Sequence, residues 1–146
     1  MGVKVVKNFD LGKIKFDLSK ELNLAGQIIR KDHFQRLERG KGVKGTNMRA
    51  LKPSTIKRKG SSKILVDTGK MRNLVIKKAN KNNQVVEISP GKKPTRNGVT
   101  NQEIGYYHQT GAGHLPEREW FGISKQAEID AIKMVEMRIE EELRRA

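Results

Sequence analysis

One acidic residue of the chain stands where carboxylate chemistry could take place. Asp67 follows the apolar run Ile64-Leu65-Val66 and precedes Thr68-Gly69. A carboxylate in such a position can share a proton with a second carboxylate, and the pair then activates a water molecule for hydrolysis. The same Asp67 can instead cap a short helical turn, with Gly69 meeting a backbone requirement.

The triplet Asp67-Thr68-Gly69 resembles the signature of the aspartic proteases, in which each of two lobes or subunits supplies one aspartate. A retroviral-type enzyme would carry one triplet per subunit of a dimer. Lys70 argues against this activity, because a compact cation beside the pair would hold the carboxylate ionised and prevent the proton from being shared. The residues that follow look helical. We therefore keep peptide hydrolysis as a lesser alternative and predict that the chain is not an enzyme.

The three histidines, His33, His108 and His114, raise the question of a metal site. His108 and His114 lie six positions apart, which is outside the usual spacing of helical ligand pairs, and no carboxylate stands at a standard interval. The chain has no cysteine, so thiolate ligands and disulfides are excluded. We expect neither a metal nor a cofactor, and we interpret His108 as a hydrogen-bonding residue at a corner.

The basic residues of the chain are concentrated in one segment. The net charge is +15, and no acidic residue occurs from Arg39 to Val66. Such a field attracts nucleic acid or an acidic protein surface, although a solvated basic loop is an equally plain interpretation. No helix-turn-helix or zinc finger is visible, so a free-standing nucleic-acid-binding protein is an alternative function. The candidate contacts with a partner or with DNA are Arg39, Lys41, Lys44, Arg49, Lys52, Lys57, Arg58, Lys59 and Lys63.

Three helices are predicted from periodicity and end signals. Asp17 is an N-cap for a helix from about Leu18 to about Arg39, which Gly26 weakens by about 1 kcal/mol relative to alanine. Pro53 opens a short helix through Lys59. Ser124 caps the last helix, one face of which carries Ile129, Ile132, Val135, Ile139 and Leu143.

Short alternating segments predict a small antiparallel sheet. Residues 3–7 and 13–16 could be strands or a lead-in arm, residues 74–78 and 84–88 pair as a hairpin, and Ile104 to Tyr107 is a candidate third strand. The predicted fold is α+β, with the sheet flanked by the N-terminal and C-terminal helices in a single domain. Residues 1–16 could form an extended arm, residues 40–62 a mobile basic loop and residues 90–101 an exposed loop.

No apolar run approaches the ~20 residues that span a bilayer, and the N-terminus lacks the apolar core of a signal peptide. We therefore expect synthesis in the cytosol and no membrane partner.

Most of the Tyr, Trp and Phe residues of the chain lie between Tyr106 and Phe121. Aromatic side chains beside Gly and Pro turns usually anchor a fold or an interface, because they bury a large area at low entropic cost. Glu117, Arg118 and Glu119 could form ion pairs at the surface. The candidate fold or interface anchors are Asp67, Gly69, Tyr106, Tyr107, His108, Gly111, Pro116, Arg118, Trp120 and Phe121.

Four short motifs occur in a fixed order. They are Leu51-Lys52-Pro53-Ser54-Thr55, Ile64 to Met71, Tyr106-Tyr107-His108-Gln109-Thr110-Gly111 and Leu115 to Ile123. Together they resemble the virion morphogenesis, or tail completion, proteins of Mu-like and other contractile-tailed phages and prophages. The resemblance covers roughly residues 51–124. Glu119-Trp120 departs from the family, where a Pro and a Phe or apolar residue are expected.

The resemblance implies a structural role without catalysis. Such proteins complete the tail at the neck, as a neck or tail-terminator component, so that a filled head can be joined to it. A hexameric ring is the implied working form, and the implied partners are further copies of the chain, tail-tube and neck proteins, and DNA in the lumen. The protein would be assembled in the host bacterial cytoplasm and end in the virion.

Overall fold

The computed structural model describes residues 2–6, 17–64, 71, 73–91 and 98–145. Within these residues the chain forms three strands and four α-helices. The predicted α+β fold, a small antiparallel sheet with an N-terminal and a C-terminal helix, is confirmed. In chain order the elements are β1 (Val3–Val6), α1 (Ser19–Glu38), α2 (Pro53–Lys59), β2 (Val75–Lys77), β3 (Val85–Ser89), α3 (Asn101–Thr110), a 3₁₀ turn (Ala112–His114) and α4 (Lys125–Arg145).

The sheet has β3 at its centre, with β1 and β2 antiparallel on either side of it. Strands β2 and β3 pair from Val75↔Ser89 to Lys77↔Glu87, which confirms the predicted hairpin. Val86 of β3 is fully buried and lies opposite Val5 of β1. The third strand therefore comes from the N-terminus. The other N-terminal strand candidate, residues 13–16, lies outside the described residues.

The prediction of a third strand from Ile104 to Tyr107 is wrong, because these residues belong to α3. The helix is set by its ends. The Thr100 side chain accepts a hydrogen bond from the Glu103 backbone N–H at 3.1 Å, and the Glu103 carboxylate accepts one from the Thr100 N–H at 2.7 Å. This reciprocal capping box starts the helix, and Gly111, with a φ of 71°, ends it in the left-handed conformation.

Helix α1 packs across the sheet through a glycine. A Cβ atom at Gly26 would lie 3.0 Å from a methyl carbon of Val86, so the missing side chain lets the helix approach β3 closely. The helix begins at Ser19, and Asp17 lies one residue before the N-cap position. Asp17 nevertheless accepts hydrogen bonds from the Ser19 hydroxyl and N–H, and these bonds lower the pKa of Asp17 to about 2.

Helix α4 runs beside α1 in the opposite direction. Arg138, late in α4, pairs with Glu21, early in α1, at 3.3 Å. Ser124 Oγ accepts a hydrogen bond from the Ala127 N–H at 3.2 Å, which confirms Ser124 as the predicted N-cap. The helix buries Ala127 and Ala131, two small residues that allow close packing.

The predicted loop regions contain defined structure. In the basic segment of residues 40–62, Lys41 and Asn47 form an isolated bridge, Met48 is buried, and α2 follows. Whether this segment is mobile stays a prediction. The exposed loop predicted over residues 90–101 is wrong at both ends, since Pro90 is fully buried and Asn101 begins α3. Residues 92–97 lie outside the described part of the chain.

Candidate interaction surfaces

Trp120 is the central buried residue of the region that we call the aromatic corner, which comprises α3 (Asn101–Thr110) and residues 118–121. Its indole Nε1 donates to the carbonyl oxygen of Gly105 at 2.8 Å, and the side chain is fully buried. The backbone N–H groups of Trp120 and Phe121 both donate to the side-chain oxygen of Gln109, at 3.1 and 3.2 Å. Trp120 and Phe121 are therefore fold anchors, and they fix the inner face of α3 against the core.

His33 of α1 lies fully buried beside this corner. Its ring centroid is 5.4 Å from that of Trp120 and 6.2 Å from that of Phe121. His33 Nε2 hydrogen-bonds to the carbonyl oxygen of Met71 at 2.9 Å. Burial lowers the pKa of His33 to about 4, with nearby Arg36 acting in the same direction. The neutral Nε2–H tautomer fits this environment, because it satisfies the Met71 carbonyl without introducing a charge.

Arg118 is buried, which corrects the prediction of a surface ion pair. Its backbone N–H donates to the His108 carbonyl at 2.8 Å. Its guanidinium donates from Nε to the Arg49 carbonyl at 2.9 Å and from Nη2 to the Ala50 carbonyl at 3.4 Å. Burial, followed by the charge of Arg49, lowers the pKa of Arg118. The arginine thus ties the basic segment to the aromatic corner. Glu119 does make a surface pair, with Lys44 at 3.7 Å.

Arg36 is a second buried arginine, which the sequence did not single out. It pairs with Asp32 at 2.8 Å and donates to the carbonyl oxygens of Trp120 and Gly122, at 3.2 and 3.3 Å. Arg36 and His33 share the buried face of α1 with Ile29 and Leu37. This helical spacing was the available signal, since a polar residue in register with core positions needs an internal partner.

Tyr106 and Tyr107 point outward from α3. Their side chains are 56% and 43% exposed, and their ring centroids lie 6.3 Å apart in an edge-to-face arrangement. We call these two residues the tyrosine pair. The predicted anchors therefore divide into two groups, one buried around Trp120 and one exposed. The tyrosine pair is a candidate interface and contributes little to the core.

His108 takes part in the corner through its backbone carbonyl, as the acceptor from Arg118. Within the described residues its buried Nδ1 atom has no hydrogen-bond partner. Burial, then the charges of Arg118 and Lys59, lower the pKa of His108 to about 4. His114 is exposed in the 3₁₀ turn. The described part of the chain contains no group of three or more His, Asp or Glu residues placed to hold a metal ion.

Of the remaining predicted anchors, Gly111 and Pro116 lie near a turn, and two lie outside the described residues. At Gly111 a Cβ atom would lie 3.1 Å from the Leu115 carbonyl, so both the left-handed φ and the close approach require glycine. Pro116 is half-buried nearby. Asp67 and Gly69 fall outside the described residues, so their predicted roles stay predictions.

The nine basic candidates are mostly at the surface. Lys44 pairs with Glu119, and Lys63 pairs with Glu38 at 2.8 Å, so the neutralised positions lie toward the two ends of the segment. Lys41 and Lys59 are half-buried. Five residues are exposed and have no ion pair within the described part of the chain: Arg39, Arg49, Lys52, Lys57 and Arg58.

Helix α4 exposes apolar side chains that the core does not cover. Val135 and Ile139, which belong to the predicted apolar face, pack against the core cluster formed by Leu18, Leu22, Ala79 and Val86. Three others are between 46% and 49% exposed and, by the 3.6-residue period of the helix, lie on one side of it; we call them the α4 apolar patch: Ile129, Ile132 and Leu143. Met137 is also exposed, but on another side of the helix.

The chain was compared with protein-family models, with curated proteins and with solved structures, and it matches none of them. Among the described residues, no helix is both long and apolar enough to cross a membrane.

Proposed function

We propose that this protein is a structural component of phage virion morphogenesis that acts in tail completion, at the joint between head and tail, as a ring of identical subunits. The observation that carries the proposal is the presence of two exposed apolar surfaces on different helices, the α4 apolar patch and the tyrosine pair. Closed rings are built from heterologous contacts, in which one surface of a subunit meets a different surface of the next.

Each surface offers enough apolar area to matter for association. Burying a fully exposed Ile, Met or Leu side chain contributes about 1.5–3 kcal/mol. The three side chains of the α4 apolar patch are about half exposed, so covering them contributes on the order of 3 kcal/mol per contact. The tyrosine pair adds two large rings that are already held side by side on one helix. Aromatic residues of this kind are enriched in protein interfaces.

Charge favours a second copy as the occupant of the α4 apolar patch. Two subunits that each carry a net charge of +15 repel each other over most of their surfaces. Residues 128–142 are the exception, with six acidic residues against two basic ones. The tyrosine pair lies on α3, whose His108 is close enough to Arg118 and Lys59 for their charges to lower its pKa. An acidic apolar surface can therefore meet a basic aromatic one.

The positions of the sequence motifs in the fold are consistent with a structural role. In the first motif Pro53 opens α2 while Leu51 packs against the core. The third motif forms the second half of α3 and its glycine end. The fourth supplies Arg118 and Trp120, both buried. Motif residues that hold backbone and core in place fit the structural role that the resemblance implies.

The test compares two substitutions that each replace a neutral side chain by a carboxylate. Ile132→Asp places a carboxylate within the α4 apolar patch, whereas Gln27→Asp places one at an exposed position in the middle of α1, outside the patch. We expect light scattering and electron microscopy to show rings for the wild type and for Gln27→Asp, and monomers for Ile132→Asp. Circular dichroism verifies that all three are folded.

The same variants can be tested in a phage that lacks the gene. Ile132→Asp should fail to restore infectious particles, whereas Gln27→Asp should restore them. The proposal is wrong if the wild type stays monomeric both alone and with purified tail tubes, or if Ile132→Asp assembles as the wild type does. Loss of assembly in Asp67→Asn together with pepstatin-sensitive peptide cleavage by the wild type would favour hydrolysis instead.

A further inference from the structure

We infer that the basic surface made by Arg49, Lys52, Lys57 and Arg58 binds the phosphate backbone of double-stranded DNA. We call these four residues the α2 surface. The inference goes beyond the proposed assembly role and does not depend on ring formation, because it concerns cations that a single subunit already presents.

The α2 helix is built to present charge. It has no buried residue, starts with Pro53 after an extended Lys52, and ends at Gly60 in the left-handed conformation. Lys57 and Arg58 stand in its last turn and are exposed. A helix this short gains little stability from its own hydrogen bonds. Its position is therefore set by its ends and by the connections on either side.

Arg118 fixes one of those connections to the core. Its guanidinium holds the carbonyl oxygens of Arg49 and Ala50, immediately before α2. The exposed Arg49 side chain thus projects from a backbone that is anchored, so less conformational entropy is lost when it contacts a ligand. The anchor is itself a cation, buried 95% by relative surface area, and it adds to the positive field behind the surface.

No carboxylate neutralises this field within the described residues. The two acidic side chains that pair with the basic segment, Glu119 and Glu38, bind Lys44 and Lys63. Burial is the main cause of the lowered pKa of His108 and of Arg118; the charges of Arg118 and Lys59 add to the first shift, and the charge of Arg49 adds to the second. These cations lie close enough together to repel one another, which destabilises the isolated protein. A bound polyanion would reduce that repulsion.

The chemistry favours duplex DNA over other polyanions. Double-stranded DNA carries one negative charge for about every 1.7 Å of its axis, so several phosphates fall within the length of α2. Residues 49–60 contain no aromatic side chain on which unpaired bases could stack. Nothing on α2 has the extent of a recognition helix, so we expect contacts with phosphates and no preference for sequence.

The experiment measures binding of the full-length protein to a fluorescent 30-base-pair duplex as a function of salt. Four phosphate contacts predict a slope of log K against log salt of about −3.6, which weakens binding on the order of 100-fold between 50 and 200 mM salt. The triple variant Lys52→Gln/Lys57→Gln/Arg58→Gln should reduce that slope by between 2 and 3 in magnitude, at about 0.9 per contact removed.

A matched control removes the same net charge elsewhere. Lys20, Lys31 and Lys133 are exposed on α1 and α4, and changing all three to Gln should alter the slope by less than about 1. Equal losses in both triple variants would show a general charge effect and overturn the inference. So would tighter binding to a single strand of equal length or to polyglutamate, or no duplex binding at 50 mM salt.

Light scattering of the same variants without DNA separates this inference from the assembly proposal. The Lys52→Gln/Lys57→Gln/Arg58→Gln protein should form the same oligomers as the wild type while losing duplex affinity. If it instead loses both, the α2 surface is part of a contact between subunits, and the DNA assignment is wrong.

Discussion

Acidification should destabilise the fold through His33. The pKa of this group is about 4 in the folded chain against 6.5 for an unperturbed histidine. Between these two values the unfolded chain binds a proton that the folded chain excludes, so the free energy of unfolding rises with pH across this window. At about 1.4 kcal/mol per pH unit, the contribution of neutral His33 falls by about 2 kcal/mol from pH 7 to pH 4.5 and by about 3 kcal/mol at lower pH.

The assay is urea unfolding, followed by Trp120 fluorescence, at intervals from pH 7 to pH 4.5. His33→Gln keeps a side-chain amide that can donate to the Met71 carbonyl but cannot take up a proton. At pH 7 the variant should be less stable, because it loses the ring contacts with Trp120 and Phe121. At pH 4.5 its deficit relative to the wild type should shrink by about 2 kcal/mol.

Substitution of the exposed His114 by Gln is the control, because it removes an imidazole from the surface and the difference between the two variants then isolates the buried site. His108 is predicted to titrate in the same window, so His33→Gln should retain part of the slope, and the double variant with His108→Gln should lose more. Carboxylates contribute below about pH 5, but they are common to every variant and cancel in the difference. Identical pH dependence of His33→Gln and the wild type would show that His33 is not held neutral by burial.

Four further substitutions test the structure of the aromatic corner and of the start of α3 by urea unfolding. Gly105→Ala, which in an exposed helix would stabilise by about 1 kcal/mol, should here destabilise by about 2 kcal/mol or more, because its Cβ would overlap the Trp120 ring; a gain in stability would refute the packing. Arg118→Met should lower the free energy of unfolding by about 2–3 kcal/mol, since it removes charged donors from two backbone carbonyls. An unchanged urea midpoint would mean that water fully replaces the guanidinium as the donor to these carbonyls. Thr100→Ala should cost about 1 kcal/mol through loss of the capping box, and Glu103→Gln, which can still cap, should cost less.

Much of the fold follows from local signals in the sequence. The bounds predicted for α2, from Pro53 to Lys59, match the structure, and those for α1 differ by one residue at each end. Both helices have strong end signals, namely Pro53 at the first turn of one and the glycine cluster after the other. The hairpin of β2 and β3 follows from two short apolar runs around a polar turn, a pattern that needs no information from distant residues.

The error at α3 shows where apolar content misleads. Ile104-Gly105-Tyr106-Tyr107 is rich in residues that favour strands, and glycine disfavours a helix interior. The deciding signal lay just before this stretch, in Thr100 and Glu103, whose spacing is that of a capping box. The glycine is explained only by tertiary structure, since Trp120 occupies the space where a side chain would be.

The interaction surfaces were less predictable than the fold, because burial depends on the complete chain. Arg118 stands between two glutamates and looks like a surface residue, yet its guanidinium is held by carbonyls 68 and 69 positions away. The tyrosine pair and Trp120 are all aromatic and lie in one stretch of the sequence, yet Trp120 is buried and the tyrosines are exposed. The orientation of α3 makes this difference, since Gly105 faces the core while Tyr106 and Tyr107 face outward.

Arg118 connects two motifs that are far apart in sequence, because it lies in the fourth motif and binds the backbone immediately before the first. Burying a guanidinium is costly unless its donors are satisfied, and here the acceptors are backbone carbonyls of residues 49 and 50, not a carboxylate. A carboxylate partner would neutralise the arginine, whereas carbonyl acceptors leave its charge in place. The same contact therefore closes the aromatic corner and keeps the field behind α2 positive. This is why the residue that anchors the basic segment can also strengthen the attraction of that segment for a polyanion.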